Sequence, residues 1–357
     1  IIPKPDVEYF LTIKANLRNN ERLLSKGHLI AWEQFRLPIS RLGAPLDPIG
    51  LPIVKIEKNN NLLIIYTDNF KVLFDTTNGF ISGYEYRNET LLDSNIKPFF
   101  WRAPTDNDLG NNMHDRCAVW KEAHDEFLLQ SIDTVKINNT FTINTKFFHN
   151  ETQCQLEIDY RVYGNGLVLI KQTLLPPSNP LPELPRYGMK MTLPERFKYI
   201  EWFGRGPHES YWDRKSSASI GKYKGKVWGQ TYKYIRPQET GNKTDVRWMT
   251  LSDNKIGLLF KGFKTFDFSA HNYAYSILDY EPNSQKHGKL DINKGKQIDV
   301  LIDYRQMGLG GDNSWGARTH LEYSLPIDTT KYILEYALVP FNKEDDIQEL
   351  TRIHIEH

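Results

Sequence analysis

The sequence is poor in cysteine. Two occur among 357 residues, Cys117 and Cys154. That is too few for a disulfide framework or a four-cysteine zinc site, and both read as buried free thiols. An excess of charge of one sign is also missing. The 45 basic and 44 acidic side chains leave a formal net charge of +1, so no bulk field draws nucleic acid or an anionic membrane to the chain. No apolar run approaches the length of a membrane span. The common catalytic signatures are absent as well. No glycine-rich loop has the P-loop or dinucleotide-binding spacing, and no Gly-x-Ser-x-Gly nucleophile elbow occurs. His208-Glu209 opens a zinc-binding His-Glu-x-x-His pattern, but Trp212 stands where the second histidine belongs. Strand–helix alternation, the mark of a parallel sheet or an α/β barrel, is not found.

Aromatic residues, by contrast, are plentiful. They make up 13% of the chain, with 8 Trp, 19 Tyr and 18 Phe, a composition that favours strands and surfaces that stack on flat ligands. The patterning is that of an all-β protein. Phe70, Val72 and Phe74 share one face of a period-2 run, Asn78-Gly79 turns the chain, and Phe80, Ser82, Tyr84 and Tyr86 alternate on the return. Leu156, Ile158, Tyr160 and Val162 repeat the device, with Gly164-Asn165-Gly166 as the turn and Val168, Ile170 and Gln172 beyond it. Further strands are expected over 53–57, 140–148, 198–203, 256–261, 297–303 and 332–339. One segment changes period. Met113, Cys117, Trp120, Ala123 and Phe127 recur at helical spacing, which predicts a helix over 112–127 with this stripe in the core.

Tyr9, Leu11, Ile13 and Ala15 also alternate, and "GHLIAWEQFRL" supplies a partner strand. A Pro- and Gly-rich stretch follows. The expected organisation is therefore residues 1–39 as the end of an upstream sandwich domain, 40–51 as linker, 52–345 as one large β domain and 346–357 as a tail. Two strands alone do not make a stable domain. Ile1 carries no initiating methionine and no secretory leader precedes it, so the chain is expected to be a piece of something longer.

The polar loops hold the candidate site. "RAPTDNDLG" contains Arg102, Asp106 and Asp108. Neighbouring carboxylates on one loop are poorly placed to flank a sugar bond, a task that needs a separation of about 5 Å or more. An Asx-rich turn that satisfies backbone donors ahead of a helix is the better reading. "WFGRGPHESYWDR" contains His208 and Glu209, and "RPQETGNKTDVRW" contains Glu239. "GLGGDNSWGA" carries Asp312, Asn313 and Trp315. Planar polar groups can bond vicinal hydroxyls while an indole covers the C–H face of a sugar. The balanced charges in each loop fit equally well an ion-paired network that ties long loops to a scaffold.

"PFFWRAPTDNDLG", "EWFGRGPHESYWDR", "YIRPQETGNKTDVRW" and "MGLGGDNSWGA" are similar, in this order, to the C-terminal part of the large β-galactosidases of glycoside hydrolase family 2. "GHLIAWEQFRLP" resembles the end of the preceding, immunoglobulin-like sandwich domain. The resemblance covers all but about the last dozen residues. It implies a large antiparallel β-supersandwich of the galactose-mutarotase-like kind. It also implies that the catalytic glutamates and the metal ligands lie upstream, in a β/α barrel that this sequence lacks. On that basis the chain by itself has no catalytic residue, no metal site and no cofactor. Its partners are the barrel and the other domains of a parent enzyme, which binds divalent and monovalent cations elsewhere, acts on a galactoside and assembles as a homo-oligomer. Neither nucleic acid nor membrane is among them. The resemblance places Trp315 at the mouth of the barrel, lining the sugar subsite. Asp312, Asn313, Arg102, Asp106, Asp108, His208, Glu209 and Glu239 are then loop supports or possible sugar contacts. A free-standing sugar-binding module or an aldose epimerase on the same fold is the alternative. An epimerase needs a His/Glu acid–base pair in one cleft, whereas adjacent His208 and Glu209 would point to opposite faces of a strand.

Overall fold

The structure, a computed structural model, describes residues 2–281 and 292–355. Contacts divide the chain into two compact units, one running to Asp47 and resuming at Asp345, the other covering Pro48–Glu344. In the first unit Tyr9–Asn16 pairs antiparallel with Leu29–Leu37, with Leu11 opposite Phe35. Leu11, Ile13 and Phe35 are all exposed among the described residues. The expected linker, 40–51, is divided between the units. Leu46 N–H donates to His354 O at 2.6 Å, and Pro45 bridges His354. The Asn139 amide instead donates to the carbonyls of Ile49 and Leu51, in the second unit. The C-terminal segment contains a single helical turn, Ile347–Leu350, capped by Asp346.

The second unit is all-β. A 12-stranded sheet and a 5-stranded sheet carry it, and every strand pair among the described residues is antiparallel. The period-2 runs explain the layering. Phe70, Val72 and Phe74 are buried along Phe70–Asp75. Leu156, Ile158, Tyr160 and Val162 are fully buried along Gln155–Tyr163. The two sheets meet through these faces. Phe74 stands edge-on to Tyr160 at 5.6 Å, and Phe80 stacks on Phe147 at 5.1 Å. Burying such rings is the main driving force here, at roughly 1.5–3 kcal/mol per large side chain. The turn over 76–79 uses Asn78 as expected. Its Oδ1 accepts from Phe80 N–H at 3.0 Å, and Gly79 takes a φ of +77°, which side chains larger than glycine rarely adopt.

One expectation fails in detail. Residues 112–127 form no continuous helix. The structure has Asp106–Gly110, Met113–Arg116, a 3₁₀ turn Ala118–Trp120 and Ala123–Glu126. Asn112 is left-handed at φ +56°, while Cys117 and Glu122 sit near φ −105°, ψ 0–14°. Each interrupts the hydrogen-bond ladder. The apolar spacing is nonetheless used, because Met113, Cys117, Trp120, Ala123 and Phe127 are all buried. Single turns of this length are not stable alone, so packing of the stripe holds them.

Candidate functional site

Trp315 lies on the segment that follows the strand Gln297–Gln306. Its side chain is 90% exposed, which is unusual for the largest apolar residue. The loop under it is firmly tied. Gly308 N–H donates to Tyr323 O at 2.7 Å and closes the neck, as in an Ω-loop. Asp213 accepts from the N–H groups of Leu309 and Gly310 at 2.9 and 2.8 Å. Asn107 donates to Leu309 O at 3.1 Å. Nearer the tip, Asn313 Oδ1 accepts from Trp315 N–H at 2.8 Å and from Ala317 N–H at 3.3 Å. Asp312 pairs with His320 and raises that imidazole above its ordinary value, through the hydrogen bond first and the charge second. Gly316, at φ +88°, leaves no room for a side chain: a Cβ there would stand 2.5 Å from Gly110 O.

The short helix Asp106–Gly110 is the floor against which this loop rests. Thr105 and Asp108 form a reciprocal capping box, a motif that satisfies otherwise orphaned helix donors. Arg102 is fully buried, bonds Asp108 Oδ1 at 2.7 Å and also donates to the carbonyls of Met307 and Gly308. Arg102 and Asp108 are therefore internal braces with no surface to offer a ligand. Asp106 is exposed. It accepts from the Gln238 amide at 3.0 Å and faces Arg236 at 3.7 Å.

Glu209 and Glu239 belong to separate networks. Glu209 accepts from Arg214 at 2.6 Å, from Gly241 N–H at 2.8 Å, and from Tyr234 and Thr240. Burial alone would raise its carboxyl, but the Tyr234 and Gly241 hydrogen bonds and the Arg214 charge outweigh that and hold it below the ordinary value. Glu239 is buried against Arg186 at 3.1 Å, with Tyr275 and Gln306 also donating. Arg186 reaches Asp303 as well, at 3.2 Å. Burial holds the Asp303 carboxyl well above the ordinary range, against the pull of Arg186. His208 is exposed, and its ring nitrogens face the backbone oxygens of Glu209 and Ser217. His208 and Glu209 thus share no cleft as an acid–base pair.

The structure brings Asp106, Arg214, Tyr234, Gln238 and Glu239 together around one cleft of about 200 Å³, with Leu309 at its edge. Sequence reasoning did not single out Arg186 or Asp303, and it placed Asp213 in the polar loop over 202–214 without its partner. The carboxylate of Asp213 acts on a loop 96 residues away, and no local pattern encodes that. Among the described residues one cluster has metal-ligand spacing, Glu122, His124 and Asp125. The Lys97 ammonium lies 2.7 Å from Asp125 and supplies that cluster with a positive charge already.

The fold and the site define an all-β supersandwich that presents a tryptophan on a braced, glycine-rich loop. The profile of the family described as beta galactosidase small chain matches residues 66–338, and that of beta-galactosidase domain 4 matches residues 2–38. The chain is 37% identical to the β-galactosidase of Priestia megaterium over 319 residues, covering 89% of this chain and 30% of that protein. To the β-galactosidase of Lactobacillus delbrueckii subsp. bulgaricus it is 31% identical over 335 residues, covering 91% and 32%. Among solved structures it resembles a galactose mutarotase related enzyme from Lactobacillus acidophilus, at a TM-score of 0.44 and 7% identity over 80% of this chain and 99% of that one. The chain belongs to the β-galactosidase small-chain family and corresponds to the C-terminal region of those enzymes. It spans about a third of the length of the curated relatives it matches.

Proposed function

We propose that this chain is the C-terminal portion of a retaining β-galactosidase that cleaves terminal β-D-galactosides such as lactose, and that it completes the substrate pocket of that enzyme with Trp315. The carrying observation is the exposure of Trp315, 90% free on a loop whose backbone is fastened by Asp213 and Asn313. An indole carried on a fastened backbone offers a sugar apolar contact at reduced cost in ordering the loop. The two glutamates of a retaining mechanism reside in a barrel outside this sequence, as do the cations the enzyme binds, and the chain alone is catalytically inert. The full enzyme works as a homo-oligomer. An epimerase reading finds no support, since Glu209 already accepts from Arg214, Tyr234, Thr240, Tyr211 and Gly241 N–H, and His208 points at backbone oxygens.

The test is Trp315→Ala in the assembled enzyme. KM rises several-fold while kcat falls less, because a stacking face is lost from ground and transition states alike. Such a contact is worth roughly 0.5–1.5 kcal/mol beyond its area burial. Trp315→Phe keeps more activity than Trp315→Leu. An unchanged KM in Trp315→Ala would contradict the reading.

A further inference from the structure

The cleft beside the tryptophan loop is a second feature of that face, and its chemistry differs from that of an exposed platform. Asp106 and Gln238 face each other on one side at 3.0 Å. Arg214 and Tyr234 also line it, and both are bound to Glu209. Tyr211 forms a buried wall, with the Arg214 guanidinium 5.0 Å from its ring centroid. Glu239 closes the lining.

Charge narrows the occupant. The charges around it are already balanced, with Arg186 on Glu239, Glu209 on Arg214 and Arg236 facing Asp106, so a charged ligand would find no uncompensated partner of opposite sign. What remains is a neutral ligand rich in both donors and acceptors. A guanidinium has five N–H donors, and the bonds from Arg214 to Glu209 and Tyr234 engage two of them. A carboxylate has about four acceptor sites; Asp106 receives the Gln238 amide on one oxygen and faces Arg236 at 3.7 Å on the other. The half-buried Tyr234 ring adds an apolar face. Size narrows it further. At about 200 Å³ the cleft lies below the roughly 300–1,000 Å³ of sites for drug-sized ligands, and so suits a single sugar ring.

We propose that this cleft is a binding subsite for one neutral pyranose unit, independent of Trp315. It extends the galactoside reading by adding a site, and the two can fail separately. Asp106 and Arg214 bond vicinal hydroxyls, Gln238 orients Asp106, and Tyr234 covers the ring. The supports are already rigid. Asp106 begins the helix braced by Arg102 and Asp108, and Glu209 fixes both Arg214 and Tyr234.

Saturation-transfer NMR on the full chain with methyl β-galactoside tests this, with methyl β-glucuronide as the anionic counterpart. The neutral glycoside receives saturation from the wild-type chain and from Trp315→Ala alike. Gln238→Leu and Asp106→Asn weaken it at least tenfold with melting curves unchanged, and the glucuronide binds at least tenfold more weakly. Should Gln238→Leu fail to fold, Asp106→Asn and the preference for the neutral sugar still decide. No transfer to the wild-type chain overturns the subsite and leaves the Trp315 reading to its own test. Loss of binding in Trp315→Ala, wild-type binding in both cleft variants, or equal binding of the glucuronide overturns it too.

Discussion

Two buried ionisable residues make the stability of the second unit depend on pH in opposite directions. His271 is fully buried, and burial pushes its imidazole down to about 3. The folded chain keeps it neutral while the unfolded chain protonates it below about 6.5. Its contribution is therefore present at neutral pH and is lost as pH falls from about 6.5 toward 3. Asp267 is pushed up to about 7 by burial, with Arg305 opposing. The unfolded carboxyl ionises near 3.9 while the folded one stays protonated, so this residue costs stability progressively between about pH 4 and 7. Asp267→Asn accordingly raises the melting temperature by several degrees at pH 7.5 and hardly at all at pH 4. His271→Phe flattens the loss of stability on acidification over pH 6.5 to 4. Melting curves across pH check both. Cys117 gives a third expectation. It is fully buried and its thiol is pushed up to about 12, by burial first, so a disulfide-exchange reagent reacts with it only when the chain unfolds. Prompt labelling in the folded state would contradict this placement.

At the scale of elements, the loop that carries Trp315 depends on side chains far away in sequence. Asp213→Ala removes the acceptor of two backbone N–H groups. Hydrogen exchange at Leu309 and Gly310 then speeds at least tenfold, since a protected amide needs its partner, while the core strands exchange as before. Gly316→Val forces a Cβ against Gly110 O in a backbone conformation a β-branched residue resists. Both variants loosen the platform without touching the indole. The sequence made the strands legible because alternation every two residues is a local property, and Phe70–Asp75 and Gln155–Tyr163 follow it. It made the exposure of Trp315 legible because a Gly-Gly-Asp-Asn run offers no strand to bury the ring. The break of the helical stripe was not legible. It rests on backbone conformations at Asn112, Cys117 and Glu122 that tertiary packing selects and side-chain periodicity does not encode. The anchors were hidden for a related reason. Arg102 to Met307 and Asp213 to Leu309 each span about a hundred residues or more, so only the folded sheet brings them together.

For the whole molecule, family membership and the exposed platform point the same way. The chain corresponds to the C-terminal region of β-galactosidases that are about three times its length. The carboxylates that gather near its loops, Asp108, Glu209 and Glu239, are committed to capping, to tyrosine and arginine donors, and to a buried ion pair. Each of these three already has a donor or a cation as its partner. The account therefore assigns substrate contact to this chain and chemistry to its parent enzyme. The most direct test is hydrolysis of a chromogenic β-galactoside by three preparations: the pure chain, the barrel-bearing remainder of its enzyme, and the two joined in one polypeptide. The account predicts no turnover by the chain, weak or no turnover by the remainder, and full activity when they are joined. Turnover by the rigorously pure chain, abolished by substituting a carboxylate within it, would contradict the account.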